Sequence, residues 1–110
     1  MKSYTSLEQS KKLAEVLPLE SADMHWQYIE EDNGQLQWFC FPKDFSINQY
    51  DMVSAWSLAA LLNVLPSSTL DSSDDHHYRL HCMERFTEWY DNPIDACYEM
   101  ILKLKEKNML

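Results

Sequence analysis

The chain has 110 residues and a net charge of −9, from 18 acidic against nine basic side chains. That length suits one domain with its own core, and 45% hydrophobic content with four Trp, six Tyr and four Phe argues against disorder. The charge matches poorly with nonspecific nucleic-acid binding or an anionic membrane surface, since both need clustered Lys or Arg.

The Lys-rich run, Lys103, Lys105 and Lys107, is interleaved with Glu106 and suits a helix C-terminus, where cations complement the dipole. Cys40, Cys82 and Cys97 form no CxxC pair, are odd in number and sit among apolar residues. They read as free, buried thiols in a reducing compartment. The opening MKSYTSLEQSKKLAE lacks the apolar core of a signal peptide. No apolar run approaches the roughly 20 residues of a membrane span. The expected location is the cytoplasm.

Taken in order, Thr5 to Leu17 reads as the first helix. Thr5 with Glu8, or Ser6 with Gln9, offers a capping box, and Pro18 biases Leu17 out of the helix. Met24 to Phe41 reads as a β-hairpin turning at Asn33-Gly34, the strongest short-range hairpin signal. With a two-residue turn, Ile29 opposes Trp38, Tyr28 opposes Phe39 and Trp26 opposes Phe41. One face then carries Met24, Trp26, Tyr28, Phe39 and Phe41, and the other His25, Gln27, Ile29, Leu36, Trp38 and Cys40. A slip of one residue would exchange these faces. Pro42 to Met52 is polar with anchors at Phe45, Ile47 and Tyr50, and reads as a loop over the core.

Val53 to Pro66, VSAWSLAALLNVLP, is almost uniformly apolar and rich in Ala and Leu. It reads as a buried central helix, with Ser54 able to cap its start and Pro66 unable to continue it. Ser67 to Asp75 is turn-rich. Tyr78 to Glu84 alternates as a strand does, Phe86 to Tyr90 can pair with it, and a short strand is expected near Thr69 to Asp71. Asn92 caps the last helix, with Pro93 in its first position and Asp95 near the positive dipole end. Glu99 and Lys103 stand four residues apart on it. The expected fold is α+β: one antiparallel sheet, a hairpin plus two or three short strands, packed against about three helices. One of those helices is central and buried, and residues 1–110 form one domain.

Chemistry-bearing groups are sparse. Asp71, Asp74, Asp75, His76, His77 and His81 make the densest polar cluster, and such side chains can ligate divalent metals. On an extended segment His77 and His81 lie roughly 13 Å apart, too far to share one ion. No nucleophile elbow is present, and one glycine in the whole chain argues against a phosphate-cradling loop. The hairpin face with His25, Ile29, Leu36 and Trp38 is more apolar than a solvated face needs, and marks a candidate contact for a protein partner or a second copy.

The segment AWSLAALLNVLP resembles a "P-x-W-S-L-x-x-L" stretch of small bacterial and phage or mobile-element proteins of unknown function. The opening SLEQSKKLAEVLPLESADMHW and the ending NPIDACYEMILKLKEKNML resemble the same group in the same order, together about half the chain. Here Ser54-Ala55 stands where the pattern carries a proline before Trp56. The resemblance implies a small intact domain in a bacterial or mobile-element setting and brings no catalytic motif. Separately, no cofactor is expected. The sequence thus points to a noncatalytic, cytoplasmic interaction or accessory protein. Its alternatives are a small metal-dependent hydrolase using residues 71–81, and a nucleic-acid mimic acting through the acidic surface.

Overall fold

A computed structural model describes residues 3–44 and 52–110. It shows an α+β fold of three α-helices and two three-stranded antiparallel sheets. Helix α1 (Leu7–Val16) starts at Ser6, whose hydroxyl accepts from the Gln9 N–H while the Gln9 side chain accepts from the Ser6 N–H. Of the two capping boxes that the sequence offers, the Ser6–Gln9 one forms. A short 3₁₀ turn at Leu19–Ser21 follows Pro18.

Strands β1 (Met24–Glu30) and β2 (Leu36–Pro42) form the expected hairpin, but in a different register. Trp26 faces Cys40, Tyr28 faces Trp38 and Ile29 faces Gln37. The loop has three residues, not two. Glu31 N–H donates to Gln35 O (2.7 Å), Gly34 N–H donates to Glu31 O (2.9 Å), and Gly34 takes a φ of +82°. This is the turn plus left-handed glycine of a three-residue hairpin. The extra residue moves β2 by one position, so its side chains change faces. Phe39 and Phe41 join His25, Gln27 and Ile29, while Leu36, Trp38 and Cys40 join Met24, Trp26 and Tyr28. The loop expected over Pro42 to Met52, with its anchors Phe45, Ile47 and Tyr50, lies largely outside the described residues.

The expected single central helix is divided. Met52–Ala55 forms β3, which pairs with β1, and only Leu58–Val64 is helical, as α2. Ser57, not Ser54, caps α2, its hydroxyl accepting from Ala60 N–H. A uniformly apolar run does not itself distinguish a buried strand from a buried helix. Here the pairing with β1 decides. The segment is still deeply placed, with Ala55, Trp56 and Leu61 sealed from solvent.

Trp56 is tied to the N-terminal segment by reciprocal bonds. Thr5 N–H donates to Trp56 O (2.9 Å), and Trp56 N–H donates to Thr5 Oγ1 (3.1 Å). Its indole N–H donates to Ser21 Oγ. These bonds, with the Thr5–Ser10 hydroxyl contact at 2.7 Å, satisfy buried polar groups that would otherwise be costly.

Strands β4 (Ser68–Ser72), β5 (Tyr78–Cys82) and β6 (Arg85–Phe86) form the second sheet, in the order β4-β5-β6. The strands thus build two small sheets and not one larger one. Helix α3 (Pro93–Glu106) begins at Asn92, whose side chain accepts from Asp95 N–H. It carries the longest buried stripe in the described chain: Ile94, Ala96, Cys97, Met100, Ile101 and Leu104. That stripe packs with Leu80 and Cys82 of β5, Leu13 and Leu17 at α1, and Trp56, Leu61 and Leu65 around α2. The central buried helix is therefore α3. The radius of gyration is 15.1 Å, against about 13 Å for a compact domain of this length, and the longest axis is 48 Å. The molecule is elongated, and no described helix is long and apolar enough to cross a membrane.

Candidate interaction surface

The four residues singled out on the hairpin do not share a face. His25 is almost fully buried and lies with Ile29 on one side of the first sheet; Leu36 and Trp38 lie on the other. The Gln27 side-chain amide donates to His25 Nε2 (2.6 Å) in this buried layer. Trp38 stacks on Tyr28 with ring centroids 5.1 Å apart and planes 10° from parallel. Leu36 is 46% exposed. Leu36 and Trp38 thus remain together, without His25 and Ile29.

The Asp/His segment is dispersed as well. Asp74 to His77 occupy the turn between β4 and β5, where Ser73 N–H donates to His77 O and His76 adopts a φ of 60°. His77 faces Asp91 (3.5 Å), Asp71 faces Arg79 (3.4 Å), and His81 stacks on Phe86. Among the described residues no three His, Cys, Asp or Glu side chains are close enough to hold a metal ion. The residues that would build a metal-dependent hydrolase are therefore not gathered.

The thiols are not poised as nucleophiles. Burial pushes Cys97 up to about 12, and burial followed by the nearby Asp23 charge pushes Cys40 up to about 11; burial also raises Cys82. A nucleophilic cysteine needs the opposite shift.

What the second sheet does assemble is a layered aromatic and cationic surface. Alternation along β5 turns Leu80 and Cys82 toward α3, and leaves Arg79 and His81 on the outer side. Register places Asp71 opposite Arg79, Thr69 opposite His81, and Phe86 opposite His81 on the other flank. His81 and Phe86 stack at 4.2 Å with planes 7° apart. The Arg79 guanidinium lies 4.5 Å from the Phe86 ring centre and 4.6 Å from that of Trp89, held by both rings. Phe86 and Trp89 nonetheless remain 48% and 45% exposed.

The turn that returns β6 beneath this layer is unusual. Met83 and Glu84 both take positive φ, 52° and 64°, in a two-residue loop between Cys82 and Arg85. Thr87 then holds β6 against β5. Its hydroxyl accepts from Leu80 N–H, and its own N–H donates to Leu80 O.

The sequence places Arg79 on the strand from Tyr78, and Phe86 and Trp89 together in a strand that pairs with it; β6 instead covers Arg85–Phe86, and Trp89 lies beyond it. The available signal was that Arg79, Arg85, Phe86 and Trp89 fall within eleven residues of one another. Its significance depended on the β5–β6 turn at Met83-Glu84, which has no turn-forming residue type. No protein-family model, curated protein or solved structure matches this chain, so the resemblance to small bacterial and mobile-element proteins stands on its three sequence segments alone.

Proposed function

We propose that this is a noncatalytic protein-binding domain whose contact surface is the outer face of β4-β5-β6, centred on Arg79, Phe86 and Trp89. One observation carries the reading: a guanidinium fixed between two half-exposed aromatic rings, with a third stacked ring alongside. Trp, Tyr and Arg dominate the energetics of protein interfaces. Side chains already held by one another lose less freedom when a partner docks. Asp71 already neutralises Arg79, and Arg85 and Lys103 stand beside Glu84 and Glu88, so the centre of the face is close to neutral while the chain carries −9 overall; the fitting partner presents apolar side chains to the rings and no net negative charge. The three free thiols support a reducing, cytoplasmic setting. The sequence resemblance supports an accessory role in a bacterial or mobile-element system.

The test is affinity capture with the tagged chain from nuclease-treated lysate of its own source cells. Wild type is run beside Trp89→Ala and Phe86→Ala, each checked for unchanged circular dichroism. A recurrent stoichiometric protein retained by wild type and lost with both variants is the expected outcome. Equal retention by all three overturns the assignment of this face.

A further inference from the structure

The first sheet carries a separate feature, the outer edge of β2. Among the described residues β2 has a partner strand on one side only, in the order β2-β1-β3. Its hydrogen-bond phase is fixed at both ends. Glu31 N–H donates to Gln35 O, and Lys43 N–H donates to Asp23 O. Antiparallel ladders alternate, so residues 35, 37, 39, 41 and 43 bond inward to β1. The main-chain groups of Leu36, Trp38, Cys40 and Pro42 point outward. Natural edge strands are usually guarded by charge, a bulge or an early proline. From Leu36 to Pro42, LQWFCFP, there is no charged residue, and the proline comes last.

We infer that two copies of this chain associate by antiparallel pairing of their β2 edges, joining two three-stranded sheets into one continuous sheet. The occupant is argued from three features. Two copies at −9 repel each other over most of their surface, but this window brings no like charges together. A two-fold axis at Trp38 places Trp38 opposite its own symmetry mate and Leu36 opposite Cys40. Every outward donor then meets an outward acceptor, while Pro42, which has no N–H, falls outside the ladder. Trp38 already stacks on Tyr28, so the axis brings together two preordered aromatic pairs on one face. The edge is independent of the outer face of the second sheet, so either assignment can fail without the other.

The experiment follows the purified full chain over a concentration series, by sedimentation equilibrium and by residue-resolved amide hydrogen exchange. The expected result is a monomer–dimer equilibrium. The amides of Leu36, Trp38 and Cys40 exchange freely in the monomer and slow by at least about tenfold in the dimer, as amides bonded in a paired ladder do. Gln37, Phe39 and Phe41 are protected in both. Leu36→Lys should abolish association, and adding Cys40→Glu should restore it through two opposite-charge cross-strand pairs. A monomer at all concentrations overturns the inference. So does a dimer in which the amides of residues 36, 38 and 40 keep exchanging as in the monomer, a readout that needs no variant to fold.

Discussion

The two sheets have the same number of strands and the same antiparallel pairing, yet they are held by different physics. In β4-β5-β6 the division of labour along β5 is clean. Leu80 and Cys82 are sealed beneath α3, and the aromatic and charged side chains stay outside. In β2-β1-β3 neither side is resolved so sharply. The most deeply buried β1 side chains are the polar His25 and Gln27, 4% and 1% exposed, while Trp26, Tyr28 and Trp38 are only partly buried on the opposite side. Burying apolar area stabilises in proportion to that area, whereas a buried polar pair stabilises little and costs much when broken. The second sheet is therefore part of the core. The first is an aromatic extension of it.

Truncating matched aliphatic residues on the two sheets tests this contrast most strongly. Leu80→Ala should cost about 3 kcal/mol, the ordinary range for a fully enclosed leucine. Ile29→Ala, at the partly exposed end of the His25–Gln27 layer, should cost about 1 kcal/mol, because water already reaches part of that side chain. Urea midpoints measured on both variants decide the matter, and equal losses would break the comparison. Next in size, Gln27→Leu should cost about 2 kcal/mol, since it leaves His25 Nε2 buried without its donor.

The hairpin turns sharpen the same comparison and show what was legible in the sequence. Asn33-Gly34 announced a hairpin, and there is one. The turn's length was not legible, because a left-handed glycine serves both a two-residue loop and the third position of a three-residue loop. That ambiguity was enough to exchange the faces of β2 and to separate His25 and Ile29 from Leu36 and Trp38. At Met83-Glu84 the reverse happened. Two residues with no turn propensity adopt positive φ because β5, β6 and the Thr87 bonds impose it. The cap at Asn92, the helix that follows it and the strand from Tyr78 were readable from local chemistry. The division of Val53 to Pro66 was not, since apolarity alone records burial and not conformation. The outer aromatic face was invisible for a related reason: its residues converge only once the strained turn is made. Glu84→Gly should relieve that strain and raise stability by about 1 kcal/mol, while Gly34→Ala should lower it by about the same amount. Thermal unfolding of the two variants gives opposite signs if the backbone reading is right.

The smallest effect concerns the thiols, and it also separates the regions. Cys97 lies on the α3 stripe beneath the second sheet and is pushed by burial from 9.0 up to about 12; Cys40 on β2 rises less, from 9.0 to about 11. In both, folding favours the protonated thiol. Below about pH 9 the folded and unfolded chains hold these protons equally, and the full stabilisation is present. As pH rises past 9 the unfolded chain releases them first and binds fewer protons than the native state, so stability falls with pH until the native thiols titrate. Tyr90 and Tyr98, also shifted upward by burial, steepen the same limb at higher pH. The urea midpoint should therefore hold steady from pH 7 to pH 8.5 and decline slightly by pH 9.5. Cys97→Ala should start from a lower midpoint, because it loses buried volume, yet decline less over that interval. Cys40→Ala should flatten the limb too, but with a smaller loss at pH 7, because Cys40 stands on a half-exposed strand and not in the enclosed core. If the two variants lost equal stability at neutral pH, the thiol on β2 would be as enclosed as the one on α3, and the distinction between the sheets would not hold at that position.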